Sequence, residues 1–413
     1  MKKSIYWVIL LALVLAFSST AKAVDEIEVA LLYPLSGALT EAGKRMKAVY
    51  EVAADVINDS YDIQGIPYAK TEGIPSKGGA KIVLKFYDTQ GSPEVGKAET
   101  ERILQDGTAK LIIGAYQSAV SKPTSFVAER NKFPYLCGVS SSAALTERGL
   151  KYFFRVAPTD FHDSRMFFKF LDDMAKQGKQ VKRVGMVYER TEFGVHAMKE
   201  VKKRISESGG AYELVADVPY EYKATDVNAE VLKIKAAKPD VIIHATLFSE
   251  MTLFAKTYQN LGVKTNANIS FCGGYQNPKF ASQLGNTVEG YMGSCTFAED
   301  FIAKKAHLKQ INEMYKAKTG MNLDGISMEG FTTLFVAADA FNRAKDLSPD
   351  AIRDALATTA LKIETMPGEG VKFNANGQNI WIDSTLSQIR KGDYKVVWPS
   401  EWATTSMSWP MRP

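Results

Sequence analysis

Three cysteines and four histidines in 413 residues leave this sequence poorly supplied for metal or redox chemistry. Cys137, Cys272 and Cys295 form an odd set without the paired spacing of a zinc site. An oxidising compartment permits one disulfide. Cys272 with Cys295 is the candidate pair, because both are expected on neighbouring strands; three buried free thiols are the other reading. His162, His196, His244 and His307 have no H-x-x-H or H-E-x-x-H company. His244, inside Val241-Ile242-Ile243-His244-Ala245, reads as a buried structural residue. Glycine motifs of nucleotide binding are also missing: the turn after the first strand is Tyr33-Pro34-Leu35-Ser36-Gly37, with no G-x-G-x-x-G, and there is no P-loop. Gly138-x-Ser140 lacks the second glycine of a nucleophile elbow. Nothing here asks for an enzyme, a metal or any other cofactor.

Long apolar runs are scarce as well. The longest, Ile5 to Phe17, has 13 residues, against roughly 20 for a spanning helix. With Lys2 and Lys3 before it and Ala21-Lys22-Ala23 after it, this run reads as an export signal over residues 1–23, cleaved near Ala23. No cysteine near that site would take a lipid anchor, so a free protein in a periplasm is expected. The formal charge is +5; Lys2, Lys3 and Lys22 supply three of it, leaving +2 on the exported chain. That near-neutral balance, without a basic cluster interleaved with aromatics, argues against nucleic acid as a partner. The remaining length exceeds one ordinary core and points to two domains.

Strand-like and helix-like segments alternate along the chain. Ile27 to Tyr33 and Lys81 to Tyr87 read as strands; Thr40 to Asn58 reads as a helix with Met46, Val49, Ala53 and Ile57 on one face. Pro93 begins a second helix, where its missing N–H costs least. Strands at Lys110 to Gly114, Pro134 to Gly138 and Tyr152 to Val156 follow, with a helix near Ala119 to Arg130. The pattern pauses at Ala157-Pro158-Thr159-Asp160, then runs through a second β-α series ending in strand Gly290 to Cys295. A helical stretch from Phe301 to about Thr359 and a strand-and-turn region from Val371 to Val397 close the chain. The fold class is therefore α/β: two lobes, each a mostly parallel sheet flanked by helices. A long helical return implies crossovers near residues 157, 296 and 370. The first lobe would hold 24–156 plus 297–370, and the second 157–296 plus 371–413. Several crossings make a hinge. Thr71 to Gly79, rich in Gly, Pro and Ser, reads as an exposed insert.

Two strands end alike. Leu111-Ile112-Ile113-Gly114 runs into Ala115-Tyr116-Gln117-Ser118, and Pro134-Tyr135-Leu136-Cys137-Gly138 runs into Val139-Ser140-Ser141-Ser142. Each offers hydroxyls where a helix can begin, and helix N-termini favour anions. Carboxyl ends of parallel strands share one edge beside a ligand crevice. Two such turns read as a carboxylate clamp, although a lone serine there more commonly only caps its helix.

These segments resemble a known family. Ile27-Glu28-Val29-Ala30-Leu31-Leu32-Tyr33-Pro34-Leu35-Ser36-Gly37 with Gly43, Tyr87-Asp88, Ile113-Gly114 to Ser118, Ser140-Ser141 before Leu145-Thr146, Phe193-Gly194 and Asp240-Val241-Ile242 occur in its order. The chain is similar, from about residue 25 to 398, to the periplasmic leucine/isoleucine/valine-binding proteins, the type I solute receptors of ATP-driven importers. The resemblance implies a two-lobed type I periplasmic binding protein fold with three crossovers. It also implies a monomer that closes on a small solute and hands it to inner-membrane permease subunits.

By position, the resemblance puts the carboxylate clamp on Ser118 (hydroxyl) and Ser141 (hydroxyl and backbone N–H). Val139 would offer a carbonyl to an ammonium, Ser140 would shape the loop, and Phe193 would be the aromatic lid. Tyr116, Phe248 and Phe331 fall at or beside the pocket walls. The glutamate that holds the ammonium in amino-acid binders falls on Tyr275, within Gly274-Tyr275-Gln276, and Ala42 leaves room beside the first helix. Two ligand classes stay open. One is an aliphatic, branched-chain amino acid, with Val139 and Glu189 or Glu192 compensating for the missing glutamate. The other is an aromatic or branched organic acid without an amino group. A periplasmic ligand sensor on the same fold is the alternative from another functional class.

Overall fold

The computed structural model describes residues 25–411, so the export signal lies outside the described residues. Strand β1 (Glu26–Tyr33) sends Ile27, Val29, Leu31 and Tyr33 to one face and Ala30 and Leu32 to the other, all fully buried. A strand apolar on both sides needs cover on both faces, which a parallel sheet with helical crossovers provides. With β2 (Lys81–Asp88), β3 (Leu111–Gly114), β4 (Tyr135–Cys137) and β5 (Phe153–Arg155) it makes a parallel sheet ordered β2-β1-β3-β4-β5. Helices α1 (Thr40–Asn58), α2 (Pro93–Asp106) and α3 (Ser118–Arg130) are its crossovers. The expected stripe on α1 is buried: Met46, Val49, Ala53 and Ile57 face the core, the larger of them contributing about 1.5–3 kcal/mol each.

The second lobe repeats the plan. Its elements are α4 (Asp160–Lys176), β6 (Arg183–Glu189), α5 (Glu192–Glu207), β7 (Glu213–Tyr220), α6 (Asn228–Ala237), β8 (Val241–Ala245), α7 (Phe248–Leu261) and β9 (Ala267–Ser270). The short α8 (Cys272–Tyr275), α9 (Pro278–Leu284) and β10 (Met292–Cys295) complete the series. Its parallel part is ordered β7-β6-β8-β9-β10, the same arrangement as in the first lobe. The chain then returns through α10 (Leu308–Thr319), α11 (Gly325–Arg343) and α12 (Pro349–Ala357), and α11 packs along α1. A two-stranded sheet of β11 (Ala360–Lys362) and β12 (Gly370–Lys372) follows. Finally β13 (Thr385–Arg390) and β14 (Asp393–Trp398) extend the second sheet, antiparallel, from β10.

The third crossing falls later than the sequence suggested. Residues 371–382 stay with the first lobe: Arg155 N donates to Gly377 O at 2.7 Å, Asn379 N donates to Arg155 O at 3.0 Å, and Phe373 packs on Phe154. Only after Ile382 does the chain enter the second lobe, because β13 is the first segment to pair with β10. The Thr71 to Gly79 insert is also less exposed than expected. Ile74 is fully buried and bridged to Ala80, and Ser76 N donates to Asn342 Oδ1 at the end of α11.

Candidate functional site

Both sheets reverse their strand order beside the first strand of the lobe, between β1 and β3 and between β6 and β8. Ligands of open α/β sheets collect at the carboxyl ends next to such switch points. Here the two edges face each other and enclose a cavity. Tyr116, Gln117, Ser118, Val139, Ser140, Ser141 and Ile326 line it from the first lobe; Glu189, Thr191, Phe193, Leu247, Cys272 and Gly273 line it from the second. The cavity is small, about 30 Å³, and Lys122 of the first lobe meets Glu192 of the second at 2.8 Å, so the lobes stand closed.

The first-lobe wall is built by fixed backbone. Ser140 Oγ donates to Ala115 O at 2.8 Å and meets Ser121 Oγ at 2.7 Å, tying the loop after β4 to the loop after β3. Arg155, fully buried on β5, donates to Ser140 O at 3.0 Å and Ser142 O at 2.5 Å, and also holds Gln378 and Thr146. Burial pushes the Arg155 guanidinium down to about 10, so it remains a cation at neutral pH. Ser118 Oγ accepts Ser142 N at 3.2 Å, while Ser141 Oγ and Val139 O have no hydrogen-bond partner among the described residues. No side chain caps the start of α3. The wall therefore offers hydroxyls and an uncapped helix N-terminus, groups suited to an anion.

On the opposite wall Phe193 opens α5, 7 % exposed and edge-on to Phe271. The glycine after it is forced by proximity, since a Cβ at Gly194 would stand 2.1 Å from Glu189 O. Glu189 is buried; its Oε1 accepts the Thr191 hydroxyl, and its Oε2 has no partner among the described residues. Burial first, and then the charge of Glu250, pushes the Glu189 carboxyl up to about 8. Burial likewise raises the Tyr116 hydroxyl and the Cys272 thiol.

Of the residues picked from the sequence, Tyr116, Ser118, Val139, Ser140, Ser141 and Phe193 are brought together around this cavity. Three picks lie elsewhere. Tyr275 is fully buried inside the second lobe, where its ring lies over Gly293 of β10, at which a Cβ would come within 2.3 Å of it. Its hydroxyl meets Ser387 Oγ at 3.2 Å. The helical turn Cys272–Tyr275 carries that side chain away from the cleft and leaves Cys272 and Gly273 at the wall. Phe248, half-buried, packs beside Tyr275 and Phe280 in the second lobe, and the preceding Leu247 lines the cavity instead. Phe331 stacks on Phe335 in the first-lobe core at 4.7 Å, one turn beyond the lining Ile326. Ala42 is buried in that core and opens no extra space. Glu192 is already engaged by Lys122.

Gln117, Thr191, Leu247, Cys272, Gly273 and Ile326 line the cavity without having been picked as binding residues. For Leu247 and Cys272 a signal existed, since each follows the carboxyl end of a β-strand. Ile326 had none, because it comes from a helix far along the chain. All three cysteines are free thiols, so the Cys272–Cys295 pair does not form. His244 is fully buried, bonded to Asn268 Oδ1 at 3.1 Å, and burial pushes it down to about 4, which keeps it neutral. Among the described residues no helix is long and apolar enough to cross a membrane.

Comparison with known proteins places this geometry. The family model described as periplasmic binding protein matches residues 26–393, and the chain belongs to that family of solute-binding, non-enzymatic proteins. It is 26% identical over 405 residues to Leu/Ile/Val-binding protein homolog 8 of Brucella suis biovar 1 (strain 1330), covering 95% of this chain and 96% of that protein. Among solved structures it resembles a leucine-binding protein, LivK, of Thermotoga maritima MSB8, with a TM-score of 0.77 and 19% identity, covering 90% of this chain and 98% of that one. It also resembles a solute-binding protein of an ABC transporter from Rhodopseudomonas palustris BisB5 in complex with 3,4-dihydroxy benzoic acid. There the TM-score is 0.74 and the identity 16%, covering 90% of this chain and 95% of that one.

Proposed function

We infer that this chain is the periplasmic solute receptor of an ATP-driven importer. It captures an aliphatic amino acid by closing its lobes and presents it, as a monomer, to inner-membrane permease subunits. The observation that carries the reading is the cavity itself: an anion-favouring wall of Ser118, Ser141 and the α3 N-terminus faces a buried carboxylate, Glu189, with apolar Phe193, Leu247 and Ile326 between them. The solute carboxylate sits on the two serines and its ammonium at the Val139 carbonyl. Hydrogen bonds to charged groups contribute about 1.5–3 kcal/mol each, so a few of them with apolar burial reach the roughly −8 kcal/mol of micromolar binding. The Brucella relative, named for leucine, isoleucine and valine, supports the same class.

A second reading is an organic acid without an amino group. It is favoured by the uncharged thiol and glycine that Cys272 and Gly273 put at the wall, while Tyr275, where the resemblance expects a glutamate, turns away, and by the neighbour bound to 3,4-dihydroxy benzoic acid. A thermal-shift screen of leucine, isoleucine and valine beside their deaminated analogues and simple aromatic acids separates the two. Stabilisation by the amino acids alone supports the first reading; stabilisation by the acids alone overturns it in favour of the second.

A further inference from the structure

The second-lobe wall ends in a pair of acids that the protein does not neutralise. Glu189 and Glu250 are each 2 % exposed. Glu189 Oε1 takes the Thr191 hydroxyl and Glu250 Oε1 accepts Lys223 N at 2.8 Å, but neither carboxylate is ion-paired to a lysine or arginine side chain among the described residues. Tyr220 from β7 and Tyr222 just beyond it flank the pair, and Gln117 faces Tyr222 from the first lobe. Three buried oxygens of this group have no partner among the described residues: Glu189 Oε2, Tyr220 OH and Gln117 Oε1. Unpartnered buried polar groups are costly, and a carboxylate most of all. Of the two acids only Glu189 borders the cavity.

We propose that Glu189, backed by Glu250, receives the cationic group of the solute alongside the Val139 carbonyl, so that the first lobe reads the carboxylate and the second lobe supplies the ammonium's counter-charge. This rests on the amino-acid reading above and deepens it. A zwitterion divided in this way satisfies both walls only when the lobes meet, which ties recognition to closure. An analogue with one charge satisfies one wall and leaves the other carrying its own burial cost. A proton balance follows from the same geometry. Burial and the neighbouring Glu250 keep Glu189 protonated near neutral pH in the cation-free closed cleft; Lys223 lies on the Glu250 side, and the facing Thr191, Tyr220, Tyr222 and Gln117 are neutral there. An arriving ammonium takes the place of that proton, so binding releases it.

The test is calorimetric titration of the exported protein at pH 7 with leucine and with its deaminated counterpart, 4-methylpentanoate, in buffers of different ionisation enthalpy. Wild type should bind leucine with release of up to one proton. Glu189→Gln should abolish that release and weaken leucine roughly 10- to 100-fold, with 4-methylpentanoate held or tightened. Glu329→Gln is the control: this acid is also buried with an unpartnered oxygen but does not line the cavity, and the variant should keep the preference for leucine. Equal losses for both solutes in Glu189→Gln, or unchanged leucine binding, overturns the proposal. If Glu189→Gln does not fold, Glu189→Asp should lose leucine selectively, and loss of both solutes overturns it. Wild type that binds 4-methylpentanoate or 3,4-dihydroxybenzoate but not leucine overturns the ammonium assignment and leaves a carboxylate receptor standing. Wild type that binds none of these overturns both ligand readings.

Discussion

Lys122 Nζ of the first lobe lies 2.8 Å from Glu192 Oε2 of the second, one residue before the Phe193 lid. The other carboxylate oxygen accepts Ser142 Oγ at 3.4 Å. Both donors come from the segments that carry Ser118 and Ser141, so the first turns of α3 and the loop after β4 both face the solute and latch the opposing lobe. The lysine is about half exposed, and exposed pairs are worth about 0–1 kcal/mol. Lys122→Ala should therefore weaken solute binding no more than about 5-fold. The difference from wild type should shrink in 0.5 M salt as screening removes the pair's contribution. A variant with unchanged affinity at low salt would show that the latch adds nothing to closure.

Ser118→Ala and Ser141→Ala should each cost about 1–3 kcal/mol of binding, the penalty for stranding a buried carboxylate oxygen. Melting of solute-free Ser141→Ala should hardly move, since Ser141 Oγ has no partner among the described residues, whereas Ser118→Ala also unpairs the buried Ser142 N–H and should lower it somewhat. Titration of both variants with leucine checks this, and full affinity in both removes the clamp assignment.

Arg155 acts on the clamp from behind. Its removal takes a buried donor from Ser140 O, Ser142 O, Gln378 Oε1 and the Thr146 hydroxyl at once, although Ser142 O keeps Leu145 N and the Thr146 hydroxyl keeps Ala143 O. At about 1–3 kcal/mol for a stranded buried group, Arg155→Met should destabilise the fold by roughly 3 kcal/mol or more. Denaturant melts of the solute-free protein read this directly, and an unshifted midpoint would contradict it.

Asp163 gives the fold a pH dependence. It is buried on α4 with Ser384 Oγ donating at 2.8 Å, and burial, reinforced by Asp160, pushes its carboxyl from 3.8 up to about 7. A raised carboxyl makes the native state bind the proton more tightly than the unfolded chain does. Its stabilising effect is thus complete below about pH 4 and is lost as pH rises through 7. Melting temperature should fall across this window, and Asp163→Asn should flatten the fall. Parallel slopes for the two proteins would show that Asp163 does not titrate there.

Thiol labelling reports on the cleft. Cys137 and Cys295 are buried, whereas Cys272 is partly exposed at the cavity wall. Iodoacetamide should modify Cys272 first and slowly, because burial raises its thiol and the thiolate is the nucleophile. A bound solute should slow it further. Mass spectrometry that finds Cys137 or Cys295 labelled as fast would contradict this placement.

Periodicity and turn chemistry in the sequence determined the lobes, the parallel sheets and the hydroxyl turns at Ser118 and Ser141. These are local properties: the α1 stripe and the apolar β1 announce what they bury within a few residues. What only tertiary structure decided is the direction of side chains where strands end in short irregular turns. One helical turn after β9 sends Tyr275 into the second-lobe core and leaves Cys272 at the cleft, a rotation no residue count registers. The third crossing likewise moved beyond Ile382, because pairing to a distant strand, not local propensity, assigns a segment to its lobe. The pairing of the α3 wall with the unneutralised Glu189 exists only once two lobes, separated in the chain, close on one another.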